Sequence, residues 1–234
     1  MTDKDSWQLV AAFVRTRLTF CPTWNSLAIV SDPDLHHLTR LERSHYQGFA
    51  AVHWTMRVEP SKPGWLSDQF HSDFREVLLH ACVRERLVCP IYCLMPDHLH
   101  LMFLGLAIAS DQLNAVKFLR LHLNRLLAGE PLQRLAALSR AQPRDKWKLQ
   151  PQAHDHVLRE EERKHGAFAS LCFYILANPV RAKLAEKEAD WRFSGAVVPG
   201  YADLHPFQEG YWELFWKLYN KQREPTPTEP LKQS

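Results

Sequence analysis

Apolar residues recur along this chain with two periods, one of two residues and one near 3.6, and their order predicts the layout. Residues 48–58 are rich in strand formers and stop at Glu59-Pro60, with Pro63-Gly64 beyond, which reads as a strand and a turn. Over 67–87 Phe70, Phe74, Val77, Leu78, Ala81 and Cys82 fall at helical spacing behind Ser67, an N-cap candidate. Residues 88–93 are short, apolar and β-branched, hence a strand. Met95-Pro96-Asp97 breaks it, and 98–106 resume as a strand ending at Gly105. So short a break predicts antiparallel neighbours. Residues 111–127 predict an amphipathic helix with Leu113, Val116, Phe118, Leu119, Leu123 and Leu126 toward the core, stopped at Gly129-Glu130-Pro131. A further strand is predicted near 154–158 and a helix over 160–177. Asn178-Pro179 predicts an interruption, with helix resuming over 180–189. Near the start, Ser31-Asp32-Pro33-Asp34 signals a short helix to Leu41.

The order strand, helix, strand, strand, helix, strand, helix predicts an α+β fold, one sheet with helices packed against it. Residues 1–45 read as an N-terminal extension, 46–195 as the main domain and 196–221 as a C-terminal extension packing on it. Residues 222–234, proline-rich through Glu224-Pro-Thr-Pro-Thr-Glu-Pro, read as a disordered tail. With 234 residues, 46% hydrophobic and 24% charged, the chain is neither wholly disordered nor fibrous. No apolar run reaches the 18 or so residues of a membrane helix, so no membrane partner is expected. Five scattered cysteines without a Cys-x-x-Cys pair suit a reducing compartment, and the expectation is a cytoplasmic, nucleoid-associated protein.

Net charge is only +3, but its distribution is uneven. Between residues 114 and 150 stand eight basic residues, Lys117, Arg120 and Arg125 among them, against the acids Glu130 and Asp145. Such a strip is either a phosphate-contacting surface or a solvated helix face.

Two constellations carry chemistry. In Met95-Pro-Asp-His-Leu-His-Leu-Met-Phe-Leu, His98 and His100 are two apart on a strand and share a face, while Leu99, Leu101 and Phe103 point to the core. Two neutral imidazoles side by side are half of a divalent-metal site; the other reading is a pair of satisfied or surface histidines. In Phe173-Tyr-Ile-Leu-Ala-Asn-Pro-Val-Arg, Tyr174 and Asn178 are at i and i+4 and meet if the helix reaches Asn178. A tyrosine beside a metal-ligating amide is a candidate nucleophile. Against that, Asn-Pro is a good cap for a new helix, and Tyr174 then is a core aromatic. His154-Asp155-His156 is a further alternating pair. There is no G-x-G-x-x-G, P-loop, H-E-x-x-H or G-x-S-x-G motif.

Together, Met-Pro-Asp-His-Leu-His-Leu-Met and, some 70 residues later, Tyr-Ile-Leu-Ala-Asn-Pro-Val-Arg-Ala-Lys-Leu resemble the IS200-like (HUH) tyrosine transposases, the REP-associated branch above all. The resemblance spans residues 46–194 and takes in His154-Asp-His-Val-Leu-Arg159. Asp97 stands where that branch commonly has asparagine, and residues 150–152 lack its Trp-Gln pair. The resemblance implies a ferredoxin-like antiparallel sheet with helices packed on it, and metal-dependent cleavage and joining of single-stranded DNA at hairpin-associated (REP-like) sites. It implies Tyr174 as nucleophile through a 5′-phosphotyrosine intermediate, and His98, His100 and Asn178 as ligands of Mg²⁺ or Mn²⁺. Lys117, Arg120, Arg125, Arg181 and Lys183 are the candidate DNA contacts, and the protein is expected as a monomer or homodimer. The alternatives are a non-catalytic DNA-binding regulator on the same fold and a metal-dependent hydrolase with no covalent intermediate.

Overall fold

The computed structural model describes residues 40–61, 63–130, 147–164 and 166–225. In chain order its elements are β1 (Ala51–Glu59), α1 (Asp68–Glu85), β2 (Leu87–Leu94), β3 (His98–Gly105), α2 (Gln112–Leu127), β4 (Lys148–Leu149), β5 (His154–Val157), α3 (Glu160–Lys164), α4 (Ala167–Arg181), β6 (Ser194–Val197) and α5 (Tyr211–Gln222). All strand pairings are antiparallel. The sheet order is β4-β1-β3-β2-β6, with β5 also paired to β1. The β-α-β-β-α-β run with order 4-1-3-2 is the ferredoxin-like arrangement, and β6 extends it past β2.

Strand alternation divides the core in two. Val52, Trp54, Met56 and Val58 of β1, with Leu99, Leu101 and Phe103 of β3, pack with α1 and α2 on one face. Ala51 of β1, Val88, Ile91 and Cys93 of β2, and Met102 and Leu104 of β3 pack with α4 and α5 on the other. On the first face Trp54 is fully buried, its indole N–H donating to Gln112 of α2 at 3.1 Å. The helix starts follow their sequence signals. The Ser67 hydroxyl accepts from the Phe70 amide, and the Asp111 carboxylate accepts from the Asn114 amide. Gly105 closes β3 where a side chain cannot fit, since a Cβ there would lie 1.8 Å from the Gly48 carbonyl oxygen.

Several sequence boundaries move. The folded unit begins before residue 46. Arg40 pairs with Asp155 at 3.2 Å and lies over the Trp54 ring, and Tyr46, in a short 3-10 turn (Arg43–Tyr46), is fully buried and donates to Asp155. The helix predicted to end at Leu41 lies outside the described residues except for its last two, which are not helical. At the other end Gln222, Arg223 and Glu224 are held: Arg223 lies over the Phe49 ring and the Glu224 amide donates to Leu106 O at 2.8 Å. The helix predicted over 160–177 is two helices separated around Gly166, which adopts a left-handed φ of 77°. The interruption predicted at Asn178-Pro179 is absent, for α4 runs through both residues to Arg181. No helix among the described residues is long and apolar enough to cross a membrane.

Candidate active site

β1 and β3 lie side by side in a register that sets Thr55 opposite His100 and Arg57 opposite His98. Opposed residues of an antiparallel pair point to the same face. That face is the one covered by α4 and α5, so His53, Thr55, Arg57, His98 and His100 form a polar patch beside an apolar one. The helices cover β2 more fully than β1, and burial along β1 falls accordingly: His53 is buried, Thr55 half-buried and Arg57 exposed.

The two histidines predicted as metal ligands come together. His98 Nε2 and His100 Nε2 are 3.0 Å apart. Each imidazole has its other nitrogen engaged. His98 Nδ1 is 2.7 Å from Asp97 Oδ1, and His100 Nδ1 is 2.9 Å from His53 Nε2 and 3.1 Å from Thr55 Oγ1. Burial first, then the neighbouring His53, His98 and Arg181, holds His100 well below the ordinary histidine range. It is therefore neutral at physiological pH, the form that ligates metal.

Tyr174 and Asn178 reach this patch from α4. The Tyr174 ring stands edge-on to His100, with centroids 6.0 Å apart, and is 42% exposed. The Arg181 guanidinium, two turns further along the same helix, lies 4.8 Å from the Tyr174 ring centroid. Helix continuity through Asn178-Pro179 has a local cause. Proline has no N–H for the Ile175 carbonyl four residues back. Asn178 supplies the missing donor: its Nδ2 bonds Tyr174 O at 2.8 Å and Ile175 O at 3.3 Å. These carbonyls fix the amide's orientation, because an oxygen in that place would face two other oxygens. Asn178 Oδ1 is thereby left as the outward end. Asn178, His98, Asp97 and Arg181 line one open cleft of about 440 Å³, with Met95, Pro96, Ala182 and Leu184.

This donor set fits a divalent cation. Two imidazole nitrogens and an amide oxygen suit Mn²⁺, and the set also admits Mg²⁺. The two Nε2 atoms, 3.0 Å apart, are close enough to face one ion. Among the described residues no three His, Cys, Asp or Glu side chains make a metal cluster, so the candidate centre is two histidines and an amide.

The predicted DNA contacts divide. Arg181 lines the cleft, and Lys183 is exposed just beyond α4. Lys117, Arg120 and Arg125 are not brought to this site, because the apolar face of α2 packs on the opposite side of the sheet. Arg120 is moreover a structural staple, donating to Gln150 O and, at 2.9 Å, to Pro151 O, and Arg125 pairs with Glu130 at 2.8 Å. Of the remaining basic strip, residues 131–146 lie outside the described residues. In the alternating pair His154-Asp155-His156 the aspartate turns to the opposite face, where Tyr46 and Arg40 hold it. The histidines sit opposite Thr55 and His53.

Sequence reading missed His53, Thr55 and Arg57. The signal was present as polar residues alternating with Trp54 and Met56, but only the register with β3 gives it meaning. Asp97, which stands where the resembled branch commonly has asparagine, is the hydrogen-bond partner of His98.

No protein-family model matches the chain, and no curated protein does. Among solved structures the chain is similar to one described as a REP-associated tyrosine transposase bound to a REP hairpin. The likeness has 16% identity and a TM-score of 0.49, and covers 67% of this chain and 82% of that one.

Proposed function

We propose that this protein is a metal-dependent single-stranded DNA endonuclease and strand transferase, acting at hairpin-associated sites through a covalent bond to Tyr174. The observation that carries the reading is convergence. The imidazole pair of β3 and the Tyr174–Asn178 pair of α4, more than 70 residues apart in sequence, meet over one face of the sheet.

In this reading His98 Nε2, His100 Nε2 and Asn178 Oδ1 hold Mn²⁺ or Mg²⁺. A cation held there would supply charge stabilisation to the scissile phosphate. Tyr174 Oη attacks the phosphorus and loses its proton to solvent, which reaches the exposed ring. The bond from phosphorus to the 3′ oxygen breaks, and that oxygen takes up a proton as a free 3′-OH. The downstream strand is left as a 5′-phosphotyrosine. Attack by a 3′-OH on that bond reverses the step and joins strands without ATP, since the phosphodiester energy is conserved in the tyrosyl ester. The Arg181 guanidinium, 4.8 Å from the Tyr174 ring centroid, stands where a phosphate attacked by that side chain would lie.

The same face offers cations for the flanking phosphates. Arg57 is exposed and has no ion-pair partner among the described residues, and Arg181 and Lys183 stand on the α4 side. Among its acids Asp97 is engaged by His98, and Glu162 is paired with His156 at 3.6 Å.

The test is incubation with end-labelled single-stranded hairpins bearing randomised flanks, in Mn²⁺, followed by a denaturing gel. A protease-sensitive shifted band is expected, lost in EDTA and in Tyr174→Phe. Cutting without an adduct, retained in Tyr174→Phe, turns the protein into a hydrolase. Binding with neither cutting nor adduct turns it into a regulator.

A further inference from the structure

We propose that His53 and Thr55 are positioning residues for the cation site: they hold the proton of His100 on Nδ1, so that its Nε2 lone pair faces the same ion as that of His98. This inference rests on the functional reading above and deepens it.

His100 has two nitrogens and both are contested. On the Nε2 side stands His98 Nε2 at 3.0 Å. On the Nδ1 side stand His53 Nε2 at 2.9 Å and Thr55 Oγ1 at 3.1 Å, themselves 3.4 Å apart. Asp97 Oδ1, which can only accept, sits 2.7 Å from His98 Nδ1 and fixes the proton of His98 there. His98 Nε2 is thus a lone pair.

Two arrangements satisfy the pair. In one, His100 donates from Nε2 to His98 Nε2, and no lone pair remains for a cation. In the other, His100 donates from Nδ1, and two lone pairs face each other across 3.0 Å, a repulsive contact that a cation converts into two bonds. The second needs an acceptor on the Nδ1 side. His53 Nε2 is that acceptor when its own proton is on Nδ1. The Thr55 hydroxyl accepts from the same His100 N–H and sends its own proton to His53 Nε2. His53 is buried behind the site, its ring centroid 5.0 Å from that of His100, and does not line the open cleft. It serves as the partner of a ligand, as the carboxylate serves His98. Such partners fix ring orientation and tautomer, and their loss typically weakens metal binding about 10- to 100-fold.

Side-chain reach supplies the test. A glutamine at position 53 carries its carboxamide oxygen to about where His53 Nε2 lies, whereas an asparagine reaches only as far as Nδ1. The full-length protein, His53→Gln, His53→Asn and Thr55→Val are titrated with Mn²⁺, with free ion followed by its electron paramagnetic resonance signal and folding by circular dichroism. His53→Gln is expected to stay within about threefold of the parent Kd and His53→Asn to lose about tenfold or more, with Thr55→Val between them. A merely structural role would weaken both position-53 variants alike. The proposal is overturned if His53→Asn and His53→Gln bind Mn²⁺ alike, or if Thr55→Val and His53→Asn both bind as the parent does. If the parent itself takes up no Mn²⁺, the cation site and the functional reading beneath it fall together.

Discussion

The two faces of the sheet are cut from the same strands and could hardly differ more. On one, Val52, Trp54, Met56, Val58, Leu99, Leu101 and Phe103 are sealed under α1 and α2. On the other, one residue along each strand, His53, Thr55, Arg57, His98 and His100 share a face with α4 and α5, which cover β2 and leave the end of β1 open. Strand parity puts every second residue on the sealed face, and incomplete helix cover leaves part of the alternate set as an open polar floor. Both faces carry a buried core, but only the second also carries an open polar patch, so substitutions at Trp54 and at the patch residues should fail in different ways.

The largest effect is expected on the sealed face. Trp54→Ala removes a fully buried ring and leaves Gln112 Oε1 without its donor, and should cost about 3–5 kcal/mol in denaturant unfolding. A loss below about 1 kcal/mol would mean that this ring contributes little to the core.

The sealed side also carries a pH signature. His71, bonded to the Tyr92 hydroxyl at 2.8 Å, is pushed down to about 4, by burial first and by Arg75 next. Its folded pKa lies below the unfolded value of about 6.5. Its contribution is therefore complete above pH ~6.5 and is lost as pH falls toward about 4, because the unfolded chain takes up a proton that the folded one refuses. The denaturation midpoint should drop across that window, and His71→Gln should flatten the drop; an unchanged slope would contradict the assignment.

Smaller effects belong to the open side. Lys183 has a φ of 58° at the end of α4, where the Lys183 amide donates to Val180 O and the Leu184 amide to Pro179 O. This is the helix-ending turn in which glycine is the usual occupant. Lys183→Gly should stabilise the fold by about 1 kcal/mol while weakening single-strand affinity. A glycine variant that gains stability with no loss of affinity would make the lysine incidental. Arg57→Gln should leave stability within about 0.5 kcal/mol and lower the salt slope of single-strand binding by about 0.7; Lys117→Gln, on the other face, should leave that slope unchanged.

What was legible in the sequence was local. His98 and His100 at i, i+2 and Tyr174 and Asn178 at i, i+4 could be placed on shared faces, because strand and helix periods decide that. The alternation of β3 and the cap at Ser67 were legible for the same reason. What was not legible was non-local or compensated. Lys117, Arg120 and Arg125 could be read as basic residues of one helix, but not which side of the sheet that helix covers. The predicted break at Asn178-Pro179 followed from proline's missing N–H, and the Asn178 side chain replaces that donor. His53 and Thr55 gain their meaning from pairing with a strand more than 40 residues away. The last strand, Ser194-Gly-Ala-Val197, is short and gives little pattern; it pairs with β2, and a Cβ at Gly195 would lie 2.4 Å from the Tyr92 hydroxyl.

The central claim is that the open face does covalent chemistry through one side chain. The most direct measurement is peptide mapping of the protein after incubation with a cleavable single-stranded hairpin and Mn²⁺, using nuclease trimming, proteolysis and mass spectrometry. The account predicts a 5′-phosphonucleotide on the peptide carrying Tyr174, absent when EDTA is present. Attachment at another side chain such as Tyr201, or cut DNA with no modified peptide, would contradict it.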